Sequence, residues 1–419
     1  MGGKTIAEKI LSEKAGVERA EPGDILECEI DYVMVNDITG VPAFEVCEEI
    51  GAGMLNERVV VVQDHYVPAK DIPSAEQAKA LREFAMKYKT HYYEIGKGGI
   101  CHQVMIEEGF VAPGRLIVGA DSHTCSYGAL GAFATGIGST EAGVVFATGK
   151  LWFRVPETQK FVVEGSLRPF VCGKDVVLHI LGEIGVAGSK YKAQEFYGST
   201  IKELSLSDRI TIANMSVEAG AKTCIFPPDE KVFSFLKGRV RGEYEPVYAD
   251  DDASYDEIFE FNAEEIVPMV AKPFSPDNVV PASELSDEEI DQAFIGSCTN
   301  GRIEDLRLAA TILKGRKVHP SVRMIVVPAS QSVFKQALRE RLIEIFLEAG
   351  AFVCSATCGA CLGGHLGVLA EGEKCISTTN RNFIGRMGHK NAEVFLASPA
   401  VVAASAVTGK ITDPSHLLS

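Results

Sequence analysis

Three cysteines in the last third of the chain form a candidate metal-binding set. Cys298 lies in the segment 296–300, GSCTN, and Cys358 and Cys361 form a Cys-x-x-Cys pair. A Cys-x-x-Cys turn places two thiolates on one side of a tight loop, and a third cysteine from a distant loop can complete a site with one free coordination position. An open position distinguishes a catalytic metal from a structural one. The three cysteines therefore predict a catalytic metal centre.

The spacing of these cysteines leaves zinc and iron–sulfur equally open, because His365 follows Cys361 at a spacing that zinc sites use. A thioredoxin-like dithiol is disfavoured, since its motif lies near the start of a small domain. The turn around Cys298, directly after a predicted strand, favours a cluster slightly. Cys354 lies inside a strand pattern and is interpreted as a buried core residue.

Histidines beside or near carboxylates form a second candidate set. Asp64 precedes His65, Asp121 lies two residues before His123, and His102 follows a glycine-containing segment. A neighbouring carboxylate fixes the tautomer of an imidazole and raises its pKa, as acid–base catalysis requires. A single histidine of this kind is more often structural, but three at strand ends predict a shared site.

Arg381 and Arg386 lie five residues apart in the segment 380–386. Guanidinium groups bind carboxylates through two parallel hydrogen bonds, so two converging arginines suit a di- or tricarboxylate. The alternative is a pair of surface arginines on a turn.

Glycine signals at 136–141 and 3–5 lack the further glycines of nucleotide-binding loops, so they do not support a nucleotide-dependent enzyme.

The elements that position these residues alternate between strand and helix along the whole chain. The hydrophobic runs predict strands over 58–63, 115–120, 292–296 and 374–378, each ending shortly before candidate site residues. In open α/β sheets, functional groups gather at the carboxyl ends of the strands. The chain is therefore predicted to be an α/β protein.

Helices are expected between these strands, over the following ranges: 74–88, 174–181, 304–314 and 332–348. We predict three domains, 1–156, 157–287 and 288–419. The proline-containing stretch 272–289 is the clearest linker candidate.

The composition of the chain limits the classes of binding partner and the cellular compartment that can be expected. A chain of 419 residues with a net charge of −16 and no basic block argues against binding to nucleic acid or to an anionic membrane. The N-terminus lacks the apolar core of a signal peptide, and the most apolar stretch, 397–407, is too short to span a bilayer. The 11 cysteines are a poor disulfide framework, which predicts a cytoplasmic location.

Together these stretches resemble the aconitase superfamily, and within it the large subunits of two-part dehydratases of the 3-isopropylmalate dehydratase and homoaconitase type. The resemblance runs nearly from end to end of the chain. Its most specific segments are 119–124, 296–302, 358–361 and 380–386. It implies a [4Fe–4S] cluster, one per subunit, bound through Cys298, Cys358 and Cys361. One iron is then not bound by protein and acts as a Lewis acid on the substrate.

The resemblance also implies roles for further residues. Three pairs match catalytic groups: Asp64 with His65, His102 with Asp121, and His123 with Glu218. The first pair would protonate the departing hydroxyl. The groups that match substrate- or cluster-facing positions are Ser122, Asn214, Asn300, Asn380, Arg381 and Arg386.

The fold that the resemblance implies has three α/β domains around a central cluster-binding cleft. Aconitases have a fourth, swivelling domain, which supplies a serine base and a further arginine. This chain reaches Ser419 soon after the arginine segment. We therefore expect a separate small subunit that carries the swivel domain and forms a heterodimer or heterotetramer with this chain.

The implied reaction is a reversible dehydration and hydration of a small hydroxy dicarboxylate. The main expectation is isomerisation of 2-isopropylmalate and 3-isopropylmalate in leucine biosynthesis. The alternatives are the large subunit of a homoaconitase or of a 2,3-dimethylmalate dehydratase. A zinc-stabilised binding module is the non-enzyme alternative. An RNA-binding protein of the iron-regulatory kind is disfavoured by the charge and length of the chain.

Overall fold

The computed structural model describes residues 2–417. Met1, Leu418 and Ser419, at the outer ends of the first and third predicted domains, lie outside the described residues. The expected α/β class is confirmed, with helices and mainly parallel strands in alternation. No helix within the described part of the chain has the length and apolarity needed to cross a membrane.

The first part of the chain contains seven strands and five α-helices. The strands are β1 Ile25–Glu29, β2 Tyr32–Asn36, β3 Val59–Val62, β4 His91–Tyr93, β5 Leu116–Gly119, β6 Phe133–Gly136 and β7 Lys150–Arg154. The helices are α1 Ile6–Ala15, α2 Gly40–Ile50, α3 Ile72–Tyr88, α4 Cys101–Glu107 and α5 Ser139–Thr148. β1 and β7 pair antiparallel, and the other five strands form a parallel sheet in the order β4-β3-β2-β5-β6.

The order of this first sheet creates a switch point. From β2 the chain adds β3 and β4 on one side, then crosses over to add β5 and β6 on the other. Every residue of β3 and β5 is buried, as expected for strands covered by helices on both faces. The carboxyl ends of β3, β2 and β5 are therefore neighbours, and this edge is where α/β sheets place ligands.

A second parallel sheet follows in the order β10-β9-β8-β11. Its strands are β8 Thr158–Glu164, β9 Ala193–Tyr197, β10 Thr223–Ile225 and β11 Glu257–Asn262. Its helices are α6 Gly173–Ile184, α7 Ser199–Glu203, α8 Leu206–Met215 and α9 Glu230–Leu236.

The third sheet has seven strands in the order β13-β12-β18-β17-β14-β15-β16. The strands are β12 Met269–Ala271, β13 Val279–Pro281, β14 Gln292–Ile295, β15 Arg323–Val326, β16 Phe352–Val353, β17 Lys374–Ser377 and β18 Glu393–Ala397. The helices are α10 Ser297–Asn300, α11 Ile303–Leu313, α12 Gln331–Arg339, α13 Leu342–Ala349 and α14 Pro399–Thr408. Only β12 and β13 run antiparallel to their neighbours in this sheet.

Short 3-10 helices complete the chain at Asn56–Arg58, Ser122–Leu130, Ser216–Ala219, Ala263–Glu265, Ala282–Leu285, Gly359–Leu362 and Pro414–Leu417. One apolar core joins buried side chains of all three sheets, including Val62, Phe161 and Leu396. This shared core fixes the three sheets against one another, so that groups from each can meet at one site.

Two sequence-based expectations were wrong. The linker predicted at 272–289 contains β13, which pairs with β12 at the edge of the third sheet. The single helix predicted at 332–348 is two helices, because Arg341 adopts a left-handed φ of 61°. A continuous helix would bring charged residues at 340, 341 and 344 onto the face that buries Val333 and Ala337. The break instead allows α13 to bury Leu342, Ile343 and Phe346. The three domain ranges remain a prediction.

Candidate active site

The carboxyl edge of the first sheet holds the first histidine–carboxylate pair. Asp64 and His65 follow β3, and His65 Nδ1 donates to Asp64 Oδ1 at 2.7 Å. The other oxygen, Asp64 Oδ2, accepts from the backbone N–H of Cys101 at 2.7 Å. Burial acts to lower the pKa of His65, but the carboxylate of Asp64 raises it to about 10, with help from Asp121 and Asp37. The imidazole is therefore protonated at neutral pH.

Asp37 supports this pair and was missed by sequence reasoning. It directly follows β2, and its carboxylate accepts hydrogen bonds from the backbone N–H groups of Asp64 (3.1 Å), His65 (2.8 Å) and Tyr66 (2.7 Å). Burial and the nearby charge of Asp64 raise the pKa of Asp37. The strand-end rule that identified Asp64 also applies to the residue after β2, so the signal was present.

Asp121 connects the other histidines of the first sheet. It follows β5, and its Oδ1 accepts from His102 Nε2 at 3.0 Å and from the backbone N–H of His123 at 2.9 Å. Its Oδ2 lies 3.6 Å from His65 Nε2. Burial acts to raise the pKa of Asp121, but His102 and His123 hold it well below the usual value. Asp121 is therefore a carboxylate shared among the three histidines.

A hydroxyl supports His102 from the far side of its ring. Its Nδ1 lies 3.0 Å from the phenolic oxygen of Tyr127, a fully buried residue that the sequence did not indicate. Ser122, one of the predicted substrate-facing groups, has its Oγ 3.4 Å from His123 Nδ1. It thus lies beside the histidines.

The third pair joins the first sheet to the second. His123 Nε2 lies 3.0 Å from Glu218 Oε1, and Glu218 lies in the 3-10 helix that directly follows α8. Burial acts to raise the pKa of Glu218, but His123 and Arg381 lower it overall. Arg381, from the third sheet, donates from Nε to both oxygens of this carboxylate. All three sheets therefore contribute to one connected network of charges.

The three cysteines are buried and follow strands of the third sheet. Cys298 comes after β14, and Cys358 and Cys361 come after β16. The Cys358 segment also contacts the first sheet, since its backbone N–H donates to the carbonyl of Asp64 at 2.8 Å. The residue before Cys298, Ser297, has a φ of 71°, a left-handed conformation that non-glycine residues seldom adopt. Backbone strain of this kind concentrates at functional sites.

Polar side chains surround the cysteine sulfurs. Asn214 Nδ2 and Asn380 Nδ2 donate to Cys298 Sγ at 3.2 and 3.5 Å. Cys361 Sγ lies 3.8 Å from Asn380 Oδ1 and 4.0 Å from Arg386. A hydrogen bond from Cys358 and the charge of Arg386 hold the pKa of Cys361 well below its usual value. Donors around sulfur stabilise the thiolate form that binds metal.

Arg386 brings a positive charge to this sulfur-lined pocket. Its Nε is buried and has no hydrogen-bond partner among residues 2–417. An unpartnered buried guanidinium nitrogen beside three thiols fits a site that receives an anionic group, since leaving such a donor unsatisfied costs free energy.

The three cysteine sulfurs are not all as close together as the ligands of a single metal ion. Within the described residues, the only three potential metal-ligating side chains whose donor atoms all lie within 4.8 Å of one another are Asp37, Asp64 and His65. At least one pair of the three cysteine sulfurs is therefore more than 4.8 Å apart, farther than two thiolates around one tetrahedral zinc, which lie about 3.8 Å apart. His365, the alternative zinc ligand, instead donates from Nε2 to the carbonyl of Pro68 at 2.7 Å.

Asn300 is oriented differently from the other two predicted asparagines. Its Nδ2 donates to Asp305 at 2.8 Å and Thr211 at 3.2 Å, and its buried Oδ1 has no hydrogen-bond partner within residues 2–417. Among the described contacts it does not reach a cysteine sulfur or a histidine. Arg302, which the sequence did not indicate as a site residue, donates to the backbone carbonyl of Cys298 at 2.7 Å.

Comparison with known proteins identifies the family of the chain and supports the fold. The family model described as "Aconitase family (aconitate hydratase)" matches residues 8–409, and the chain belongs to this family. The resemblance seen in the sequence is thereby confirmed, and membership implies an iron–sulfur cluster. A solved structure, aconitase X of Thermococcus kodakaraensis, aligns with a TM-score of 0.51 over 90% of this chain and 89% of that chain at 12% identity, which supports the fold.

Relatives of high identity carry one shared name. The chain is 54% identical to a protein of Thermodesulfovibrio yellowstonii over 99% of both chains. It is 53% identical to a protein of Aquifex aeolicus over 99% of this chain and 98% of that one. It is also 54% identical to a protein of Picrophilus torridus over 99% of this chain and all of that one. Each is named "3-isopropylmalate dehydratase large subunit".

Proposed function

We propose that the chain is the large subunit of a hydro-lyase that isomerises 2-isopropylmalate and 3-isopropylmalate by dehydration and hydration, a step of leucine biosynthesis. The shared name of the full-length relatives supports this assignment. The observation that carries it is that His65, which follows a strand of the first sheet, meets Arg381 and three buried cysteines of the third sheet at one site. The reaction needs an acid, anion-binding groups and a metal centre, and the site provides residues for each.

Cys298, Cys358 and Cys361 are the residues that hold the cofactor in this proposal. It is a [4Fe–4S] cluster, one per subunit, with one iron not bound by protein. When bound, the cluster supplies a Lewis acid that polarises the hydroxyl of the substrate. Asn214 and Asn380 orient the sulfur of Cys298 through their amide N–H groups.

His65 is the acid that protonates the departing hydroxyl. Its Nδ1 proton is held by Asp64, so the proton to be transferred is the one on Nε2. Backbone donors lock Asp64 and Asp37 in place, and this rigidity keeps the ring aimed without reorganisation during the reaction. The same Nε2 faces Asp121 Oδ2 at 3.6 Å, which helps to retain the proton until substrate arrives.

Arg381 and Arg386 bind the two carboxylates of the substrate. Glu218 occupies only Nε of Arg381, so both Nη nitrogens remain for a carboxylate, and Arg386 offers its unpartnered Nε. Bidentate guanidinium–carboxylate pairs fix orientation as well as affinity. The side of the site that the first sheet forms is lined by the polar side chains of Ser122, His102 and His123.

The base that removes the carbon-bound proton comes from a second polypeptide in this proposal. The relatives are named as large subunits, which supports a small subunit that carries the swivel domain in a heterodimer or heterotetramer. The free thiols of all 11 cysteines support a reducing, cytoplasmic location.

The test is an anaerobic reconstitution with matched assays. The chain is loaded with iron and sulfide and assayed alone and with the candidate small subunit, on 2-isopropylmalate, homocitrate and 2,3-dimethylmalate. We expect no turnover alone, and turnover of 2-isopropylmalate with the partner. Full activity without a partner contradicts the two-subunit proposal. If the complex prefers homocitrate or 2,3-dimethylmalate, the chain is instead the large subunit of a homoaconitase or of a 2,3-dimethylmalate dehydratase.

A further inference from the structure

Lys174 on α6 is a fully buried lysine, with none of its surface exposed. Its Nζ donates to two backbone carbonyls, those of Thr378 at 3.0 Å and Thr379 at 2.5 Å. Within the described part of the chain, no carboxylate oxygen lies within 4.0 Å of this nitrogen in an ion pair. A buried ammonium without a paired anion is costly, so its retention at this position requires an explanation.

The two carbonyls that Lys174 binds belong to the segment that presents site residues. Thr378 and Thr379 follow β17 and directly precede Asn380 and Arg381. Asn380 donates to the sulfur of Cys298, and Arg381 donates to Glu218. Lys174 thus joins a helix of the second sheet to the backbone of the loop from which both side chains extend.

The start of α6 is also fixed to a second site element. The backbone N–H of Gly173 donates to Asp208 at 2.8 Å, and Asp208 lies in the first turn of α8, the helix that carries Asn214. Lys174 is therefore anchored between two elements that contribute amides around Cys298.

Cys361 lies close to the segment that Lys174 binds, because its Sγ is 3.8 Å from Oδ1 of Asn380, the residue after Thr379. Burial lowers the pKa of Lys174 to about 7, and the nearby thiol groups of Cys172 and Cys361 act against this lowering. Cys361 is one of the three cysteines that would become thiolates on cluster binding. A thiolate at this position adds negative charge near an ammonium that has no carboxylate partner of its own.

We propose that Lys174 is a positioning residue that aligns Asn380 and Arg381 through the carbonyls of Thr378 and Thr379, and that its charge offsets the negative charge of the cluster thiolates. This inference rests on the proposed function for its effect on substrate binding. Its effects on the loop and on the cluster do not depend on which hydroxy diacid is the substrate.

The main test compares K174M, K174R and a control, K222M. Lys222 lies in the same part of the chain and is half-buried, with its Nζ over the rings of Phe153 and Tyr191. With the partner subunit, K174M is expected to raise KM for the hydroxy diacid by roughly 10-fold or more, the scale of one lost hydrogen bond from a charged donor. K174R is expected to recover part of this loss, and K222M to behave as wild type.

Two measurements other than activity distinguish a positioning role of Lys174 from a general contribution to the stability of the fold. In K174M the midpoint potential of the cluster is expected to be more negative than in wild type, because removal of a nearby positive charge disfavours the added electron. In the cluster-free chain, limited trypsin cleavage after Arg381 and Arg386 is expected to be faster, because the loop has lost its anchor. K222M is expected to change neither value.

The proposal is overturned if folded K174M has the same KM, midpoint potential and cleavage rate as the wild type. If K174M does not fold, K174Q, which keeps a hydrogen-bond donor without the charge, is measured instead; an unshifted potential in that variant overturns the electrostatic part. If the holoenzyme turns over none of the hydroxy diacids, the proposed function fails, while the potential and the cleavage rate still decide the role of Lys174.

Discussion

Arg381 donates from its Nε to both carboxylate oxygens of Glu218, at 2.8 and 3.0 Å. The same carboxylate lies 3.0 Å from Nε2 of His123. One buried glutamate therefore fixes an arginine of the third sheet and a histidine of the first. Neither Nη nitrogen of Arg381 has a hydrogen-bond partner among residues 2–417. Glu218 therefore fixes the orientation of the guanidinium and leaves both Nη nitrogens available as donors. Such a group is ready to bind a carboxylate without first giving up its anchor.

Replacement of Glu218 by Gln should release both partners. An amide offers one acceptor where the carboxylate offers two, so Arg381 loses its fixed orientation. We expect KM for the hydroxy diacid to rise by roughly 10- to 100-fold, the range for lost hydrogen bonds to a charged group. Steady-state kinetics of the holoenzyme with its partner subunit measure this. E107Q is the control, because Glu107 is also largely buried but contacts Gln103 and Ser330 instead. An unchanged KM in E218Q contradicts the anchoring role.

Replacement of Asp64 by Asn should reveal the charge state of His65. Folding raises the pKa of His65 from 6.5 to about 10, so the folded chain binds this proton more tightly than the unfolded chain. The resulting stabilisation is fully present below pH 6.5 and is lost as the pH rises through about 10. D64N is therefore expected to destabilise the cluster-free chain most near pH 6 and least near pH 10.

Urea unfolding at several pH values measures this difference. D71N is the control, because Asp71 is an exposed N-cap of α3 with a pKa below its usual value. Its effect on stability should not vary between pH 6 and 10. A pH-independent difference between D64N and wild type would show that His65 is neutral in the folded chain.

Replacement of Asp37 by Asn should weaken the loop that carries His65. The carboxylate accepts three backbone N–H groups, and an amide in its place must direct its own N–H₂ toward one of them. A loss of roughly 1–3 kcal/mol in the free energy of unfolding is expected, because a buried donor is left unsatisfied. The turnover number should also fall, since the His65 ring is no longer fixed.

D31N separates these two effects. Asp31 accepts from the backbone N–H of Leu116 at 2.7 Å, at the opposite end of β5 from Asp121. Its replacement should lower stability without lowering the turnover number of the folded enzyme. If D37N and D31N have the same kinetics, Asp37 has no special part in placing His65.

Local patterns were enough to predict much of the first sheet and its site residues. A valine run identified β3 and a mixed apolar run identified β5. The rule that functional groups follow strand ends then grouped Asp64, His65 and Asp121. Asp37 obeys the same rule after β2. Sequence reasoning missed Asp37 because no histidine is adjacent to it in the sequence. Its carboxylate nevertheless accepts all of its hydrogen bonds from backbone N–H groups at or beside His65.

Contacts between sheets could not be predicted from spacing. Glu218 and Arg381 are 163 residues apart, and Lys174 lies 204 residues before its carbonyl partner Thr378. Such pairs depend on how the sheets pack through the shared core. The orientation of an amide also has no sequence signal. Asn300 turns its Nδ2 to Asp305, whereas Asn380, which also follows a strand of the third sheet, directs its Nδ2 to a cysteine sulfur.

Replacement of single cysteines should decide between a cluster and zinc. Cys298→Ser, Cys358→Ser and Cys361→Ser are each expected to abolish the visible iron–sulfide absorption of the reconstituted chain, because each removes one of three protein ligands. Cys354→Ser is the control, because Cys354 is a half-buried free cysteine outside the proposed set of three ligands. It should retain the chromophore. Stoichiometric zinc without sulfide in the wild-type chain contradicts the cluster.

Arg386 brings a positive charge close to the sulfur of Cys361. Its Nη2 is 4.0 Å from Cys361 Sγ, and the thiols Cys361 and Cys358 raise its pKa against the lowering effect of burial. R386K keeps the positive charge but replaces the planar fork with a point charge. If Arg386 binds a substrate carboxylate through two hydrogen bonds, R386K should raise KM by roughly 10-fold or more and leave iron content unchanged.

R386M separates that role from support of the cysteines. Loss of the charge removes one of the groups that favour the thiolate of Cys361, so this variant should also bind iron less tightly in a chelator competition. R341M, which changes an exposed arginine paired with Glu344, is the control for surface charge. A lower iron content in R386K, at wild-type KM, would assign Arg386 to the cysteines alone. The carboxylate-binding role would then rest on Arg381, whose Nη nitrogens have no hydrogen-bond partner in the described part of the chain.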